Sequence, residues 1–496
     1  MIRKEKTLEM IKKHVPGHAF YPKSIRIKEN SAFLIGKDSL KKYLFIISDK
    51  KTNSELDGKT IGKVSTDNNE LFINKNNLIY NNLLKLKTVF FDLWPVTSEK
   101  NKSFGTGDRL GMVTVAHINA FKDRDIFPVL AQQSVRELER TQRNWKDVIN
   151  SALWGYFEAG IKFAFGADAD HIKETEDLKK AADAGFSMFT VDPSDYIEDI
   201  SFFNKSEITK KYYSLEKLSS LENKYIGKSL TLGEKTYNFD QDILIPMVVK
   251  YKRAIDRVVS LYEFLKSYKK SDFDFEVSMD EIEESVSPLE HYFIVNELLD
   301  SNIGFNNLAL RFVGRWEKAV DYMGDIKKFE AELKEHSHVL KRFGQYRLSL
   351  HSGSEKFSTY RLFSKICEGN FHIKTAGTSW LEALRTLAFS SPHLFRDIFN
   401  FSLDGFFQER KSYHLTTDTK NIPDMENIPD DKLFKCLDMT EPRQVLHVAF
   451  GSVLTSKDDT GKYLFRDGLY SQLFKNEELH YRYVTTNMVK HLDLLR

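Results

Sequence analysis

Two carboxylates and an imidazole, Asp168, Asp170 and His171, close the run Phe165-Gly-Ala-Asp-Ala-Asp-His-Ile172. Apolar and small residues precede them (Ile161, Phe163, Ala164, Phe165), so the stretch reads as a buried strand that ends in charge. Burying such groups is costly unless something pairs with them. A divalent metal or a proton-transfer role supplies that partner. Imidazole with carboxylate suits zinc, nickel, manganese or cobalt better than calcium. His171, His351 and one further ligand would leave coordination positions open, as a catalytic metal site requires. Taken one at a time, each His reads more simply as a hydrogen-bonded residue near the core. The helical pair His336 and His338, two residues apart and so facing apart, reads as surface.

Positioning these groups calls for strand ends that converge. From about residue 100, short apolar runs ending in polar turns alternate with helical segments. They lie at Ser103–Arg109, Phe127–Gln133, Phe163–His171, Phe186–Asp192, Phe273–Ser278, Asn307–Phe312, Tyr346–His351 and Phe371–Ala376. Strands alternating with helices argue for parallel βαβ units, and eight of them predict a closed (β/α)8 barrel of TIM type. Active sites of that architecture sit at the C-terminal strand ends. Asp168, Asp170, His171, Asp192, Ser194, Asp195, Glu276, Asp280, Arg311, Glu317, His351 and Lys374 would share that mouth. In Phe273-Asp-Phe-Glu276, alternation puts Asp274 and Glu276 on one side. The first strand is the weakest, because Thr97–Ser103 is very polar for a buried strand.

Three regions follow: a small α+β accessory region over 1–90, the barrel over 91–385 with an insertion at about 197–242, and a helical C-terminal extension over 386–496. The accessory region should hold a helix at Leu8–His14 and strands at Ser31–Ile35 and Tyr43–Ser48, with polar loops at Asp49–Lys59 and Asp67–Asn69. A hairpin is expected within Ser229–Tyr237 and a helix over Ile243–Tyr268.

Composition narrows the class. The 496 residues carry 73 basic and 71 acidic side chains, a net charge of +2. That balance argues against nucleic acid or an anionic membrane as partner. Cys367 and Cys436 stand far apart without CxxC spacing, which points to free thiols in a reducing cytoplasm. The N-terminus lacks the apolar stretch of a signal peptide, and no apolar run approaches the ~18–20 residues of a membrane span. Gly105-Thr-Gly-Asp-Arg-Leu-Gly111 has the wrong spacing for a dinucleotide fingerprint. It reads as a turn with Arg109 reaching an anion. No GxSxG elbow supports a serine hydrolase.

Several strings in one order resemble the tagaturonate epimerase family, the metal-dependent tagaturonate/fructuronate epimerases of hexuronate breakdown. They are Phe104-Gly-Thr-Gly-Asp-Arg-Leu-Gly111, Ala131-Gln-Gln-Ser-Val-Arg-Glu137, Phe165–His171, Met188-Phe-Thr-Val-Asp-Pro-Ser-Asp195, Phe273–Ser278, Asn307–Phe312, Trp316-Glu-Lys318, Leu350-His-Ser-Gly-Ser354 and Phe371-His-Ile-Lys-Thr-Ala-Gly-Thr378. The resemblance implies a cytoplasmic isomerase acting on a sugar acid, with Asp170 as proton acceptor and Glu276 as proton donor. It implies metal ligation by His171 and His351, with His372 or Glu317 as third ligand. Arg109, Arg311 or Lys374 could hold the substrate carboxylate, and Gln132, Gln133, Ser194, Asp195, Ser352 and Thr375 are further substrate-binding candidates. Two other readings compete: a metal-dependent aldolase or ketose isomerase on another sugar, and a non-catalytic sugar-acid binding protein.

Overall fold

The computed structural model describes residues 3–50, 56–65, 70–216, 218–413 and 415–495. Eight parallel strands close into a barrel: β1 (Lys102–Thr106), β2 (Phe127–Ser134), β3 (Gly166–Ile172), β4 (Met188–Val191), β5 (Asp274–Met279), β6 (Asn307–Leu310), β7 (Arg347–Leu350) and β8 (Phe371–Thr375), with β8 pairing to β1. Each falls within or beside a run expected from sequence. The polar stretch before β1 forms the barrel floor. The Ser98 amide donates to Asp274 Oδ2 at 2.7 Å, and Arg347 Nη1 donates to Ser98 Oγ and the Lys100 carbonyl at 2.9 Å each. Polarity there satisfies Asp274 and Arg347, which point into the barrel from below. The strand proper begins only at Lys102.

Before the barrel lies a six-stranded antiparallel sheet. Its strand Ser31–Lys37 is apolar on both faces because both are covered. Ala32 and Leu34 pack with Ile11 and Val15 beneath helix Lys4–His14, whereas Phe33 and Ile35 join the main core beside Trp154 and Phe157 of the barrel helix Trp145–Ala159. Period-2 alternation thus serves two cores. The loops expected at Asp49–Lys59 and Asp67–Asn69 lie mostly outside the described residues.

Between β4 and β5 stand two short helices, the hairpin Ser229–Leu232 with Lys235–Asn238, and helix Gln241–Tyr268. His336, expected on the surface, is buried. Its Nδ1 lies 3.1 Å from His291 Nδ1, and its ring meets Phe312 edge-on. The two histidines do face apart on their helix, but His338 turns to the hairpin at Gly233 and the other face is the core. After β8 the chain is helical. Its last helix, Glu477–Asp493, packs on both Thr114–Phe121 and Thr378–Ser390, the helices after β1 and β8. It therefore seals the seam where the barrel closes. No helix among the described residues is long and apolar enough to cross a membrane.

Candidate active site

β3 carries a local irregularity that decides where its charges point. Ala169 pairs with Phe189 and Ile172 with Val191, so three steps on β3 match two on β4. The extra residue falls at Asp170–His171, and His171 has φ +53°. A bulge of this kind re-aims side chains. Neighbours that would diverge on a regular strand instead meet, with His171 Nδ1 2.8 Å from Asp170 Oδ1. A left-handed residue without a Gly persists only where its surroundings over-determine it.

Lys374 rises from β8 into the middle of this charge. Its Nζ lies 2.7 Å from Asp168 Oδ2, 2.7 Å from Asp170 Oδ1 and 2.9 Å from Glu276 Oε1, and it donates to Thr190 Oγ1 at 2.5 Å. Three ammonium protons serve four oxygens. Burial opposes the Lys374 charge, but Asp168, Asp170 and Glu276 outweigh it and hold the ammonium above its ordinary range. Burial pushes Asp168 up to about 6 despite Lys374. Asp170 goes the other way: burial opposes ionisation, yet His171 and Lys374 hold its carboxyl well below the usual range. Lys374 and His351 do the same, against burial, for Glu276. The cluster therefore keeps Asp170 and Glu276 ionised, and Asp168 is the readiest of the three to protonate. Asp168 binds Lys374 and accepts from Thr190 Oγ1 at 2.9 Å, so it supports the lysine.

His351, just past β7, joins the cluster to a second one. Its Nε2 pairs with Glu276 Oε1, and its Nδ1 lies 3.0 Å from Asp280 Oδ1. The His171 and His351 rings are 5.0 Å apart between centroids. One donor atom each from His171, Asp280 and His351 lie within 4.8 Å of one another, and His171, Asp192 and Glu281 form a second such group. Against burial, Asp170 raises the His171 imidazole to about 10, and Asp280 with Glu276 raises His351 to about 9. The surrounding acids thus demand positive charge between the two rings. Glu276 Oε2 is buried without a hydrogen-bond partner among the described residues. Two imidazoles and a carboxylate, with an orphaned oxygen beside them, fit a divalent transition metal with positions left open.

The remaining sequence candidates divide. Gln132 Nε2 donates to Asp170 Oδ2 at 3.4 Å, and neither amide atom of buried Gln133 has a partner among the described residues. A Cβ on Gly105 would lie 2.1 Å from Gln132 Oε1, so a larger residue there would displace the Gln132 amide. Arg109 does reach an anion, but it is Glu137, at 2.8 Å, with Phe450 3.8 Å below the guanidinium. Ser194 Oγ and Asp195 Oδ1 are taken by Lys173, at 3.0 and 2.7 Å. Thr375 Oγ1 donates to the Gly105 carbonyl at 2.8 Å. Ser352 Oγ accepts from Lys318 Nζ at 2.6 Å. Arg311 is half-buried, and its carbonyl accepts from the Val286 amide.

The two candidates for third ligand lie elsewhere. Glu317 accepts from the Thr416 amide, Thr416 Oγ1 and Gln444 Nε2 at 3.0, 2.8 and 3.0 Å, which ties it to the C-terminal extension. His372 sits one pleat deeper than Lys374, its Nδ1 2.8 Å from Ser103 Oγ, and burial pushes its imidazole down to about 3. Neither belongs to the two donor groups found among the described residues.

A family model described as tagaturonate epimerase matches residues 21–495. The chain belongs to the tagaturonate epimerase family. It is 42% identical over 490 residues, 98% of this chain and 99% of the other, to the tagaturonate/fructuronate epimerase of Thermotoga maritima. Two crystal structures of fructuronate-tagaturonate epimerase from Cohnella laeviribosi, one native and one with a single glycerol, match it at TM-score 0.91 and 35% identity over 99% of both chains. Like them, this tagaturonate epimerase family member is an isomerase.

Four residues of this epimerase went without a role in the sequence reading: Thr190, Asp280, Glu281 and Lys318. Asp280 was expected at the mouth, and its spacing could have suggested a ligand role. Glu276, Ser278 and Asp280 alternate along one strand and its extension, so all three face one side. Thr190 and Lys318 carry no comparable signal, since their partners come from other strands.

Proposed function

We propose that the protein interconverts D-tagaturonate and D-fructuronate by inverting carbon 4, with a divalent cation held by His171, His351 and Asp280. The observation that carries this reading is the pair Asp170 and Glu276, two buried ionised carboxylates on either side of the Lys374 ammonium and next to both imidazoles. The names of the relatives supply the substrate.

Carbon 4 is not adjacent to the ketone at carbon 2, so enolisation alone does not invert it. A retro-aldol step does. Asp170 takes the proton of the C4 hydroxyl, the C3–C4 bond breaks, and its electron pair passes to the C2–C3 enolate while C4 becomes an aldehyde. The aldehyde presents its other face, the bond re-forms, and the new C4 alkoxide takes a proton from Glu276, which receives it from the Lys374 ammonium as Lys374 recovers the proton held by Asp170, so the proton count is unchanged. In reverse the two carboxyls exchange roles. A bound divalent cation supplies Lewis-acid stabilisation of the negative charge that develops. Lys374 holds both carboxylates in place and keeps Asp170 in the basic form before substrate arrives. Gln133, with a free buried amide, is suited to a substrate hydroxyl. Two buried free thiols, Cys367 and Cys436, agree with a reducing cytoplasmic setting.

The test is NMR of purified protein with D-tagaturonate, before and after chelation and metal return. Conversion to D-fructuronate that stops on chelation and resumes with zinc, nickel, manganese or cobalt is expected. Failure of every divalent metal to support conversion ends the proposal. In deuterated water C4 should keep its hydrogen, and deuterium at C4 overturns the retro-aldol route.

A further inference from the structure

Most cations that reach the mouth are already matched to acids. Arg109 pairs with Glu137, Arg136 with Glu281, Lys173 with Asp192 and Asp195, and Lys374 with three carboxylates. Lys318 differs. Among the described residues its Nζ has no ion-pair partner within 4.0 Å, and it donates to a neutral oxygen, Ser352 Oγ, at 2.6 Å. Burial holds its ammonium below the ordinary range, against the pull of Glu281 and Asp280.

Its position is built from both sides. Lys318 lies in the segment after β6, yet the charges it feels belong to Asp280 and Glu281 past β5 and to Arg136 and Glu137 past β2. Its hydrogen bond to Ser352 Oγ, directly past His351, brings the ammonium to the mouth. On one side, Glu317 is clamped by Thr416 and Gln444. On the other, Ala319 has φ +66° and its carbonyl accepts from Arg443 Nε at 2.9 Å. Ser352, the hydroxyl partner, directly follows His351 and has φ +52°. Strained residues this close together are kept where the surroundings force them. The result is a fixed, half-buried cation held against the residue that follows His351, with no ion-pair partner of its own among the described residues.

We propose that Lys318, with Ser352 Oγ beside it, anchors the carboxylate of the substrate and so sets the preference for a uronate over the matching neutral ketose. This rests on the hexuronate reading above. An ammonium–carboxylate hydrogen bond is charge-assisted and strong. A neutral ketose puts an alcohol there and leaves the lysine unmatched, which is how a polar site rejects an analogue.

The metal-loaded wild type is assayed first, with D-tagaturonate and with D-tagatose. No turnover of the uronate overturns the functional reading itself. With that activity present, Lys318→Met is expected to lose about ten- to a hundredfold in kcat/KM on the uronate, chiefly through KM. On D-tagatose it should change by no more than roughly threefold, with metal content unchanged, and Lys318→Arg should restore most of the uronate activity. Equal losses on both substrates make Lys318 a support for His351 and overturn the inference. Arg311→Met is the control from the same segment: if it removes the uronate preference and Lys318→Met does not, the anchor is Arg311 and the inference falls.

Discussion

Asp170 and Lys374 share one contact, and removing either tests a different property. Asp170→Asn keeps the shape and the contact with Gln132 but loses the base. General-base contributions run to about 10²–10⁴-fold, so kcat on D-tagaturonate should fall by that order, read on protein whose fold is confirmed by circular dichroism. Full turnover by this variant would take Asp170 out of the chemistry. Lys374→Met acts on the fold as well as the site. It strands Asp168, Asp170 and Glu276 together in the barrel, all three 4% exposed or less. Breaking a buried ion pair by removing one partner costs about 3–5 kcal/mol. A urea midpoint unchanged in Lys374→Met would show that the three acids find compensation elsewhere.

At the scale of elements, the last helix is the joint between the accessory sheet and the barrel. Glu477, in its first turn, pairs with Lys42 and with Lys37 at 2.8 Å and accepts from Tyr21 Oη at 2.7 Å. Burial works against the Glu477 carboxylate, but Lys42 and Lys37 hold it down at about 2. The sign follows from linkage. A carboxylate whose folded value lies below its unfolded value of about 4.3 stabilises above that value, and the stabilisation is lost as pH falls through about 2. Glu158, which shares Lys42, is raised by burial and contributes in the opposite sense. Glu477→Gln isolates the first effect: between pH 5 and 3 the wild type should lose more stability in denaturant than the variant, by up to about 1.5 kcal/mol. Parallel losses would mean that the joint carries no net charge stabilisation. Glu317 belongs to the same class of joint, tying the segment after β6 to the extension. Glu317→Gln should therefore keep its bound metal, whereas His351→Ala should lose it, as read by metal analysis after gel filtration.

For the whole molecule, the barrel was legible because each strand is a short apolar run ending in polar residues, and a parallel strand covered on both faces leaves that trace. Converging strand ends then placed Asp170, His171, Glu276, His351 and Lys374 at one mouth from sequence alone. The centre of the charge was not legible. Lys374 read as an anchor for the substrate, yet its partners come from β3, β4 and β5, and spacing within one strand says nothing of them. The bulge at His171 was hidden for the same reason, since it exists only in the register of β3 against β4. That cross-strand construction has a consequence for the folded chain as a unit. His171, Asp280 and His351 lie in or just past three different strands, so in the unfolded chain they are far apart, and a cation that bridges them binds the folded state. Binding of that kind stabilises by RT ln(1 + [L]/Kd), about 2.7 kcal/mol at a hundredfold excess over Kd. Titrating zinc, nickel, manganese or cobalt into chelator-treated protein should raise the thermal midpoint for at least one metal, in step with recovered epimerase activity. The His351→Ala variant should show no such rise. A midpoint that ignores every metal, or rises equally in the variant, removes this triad as the binding site.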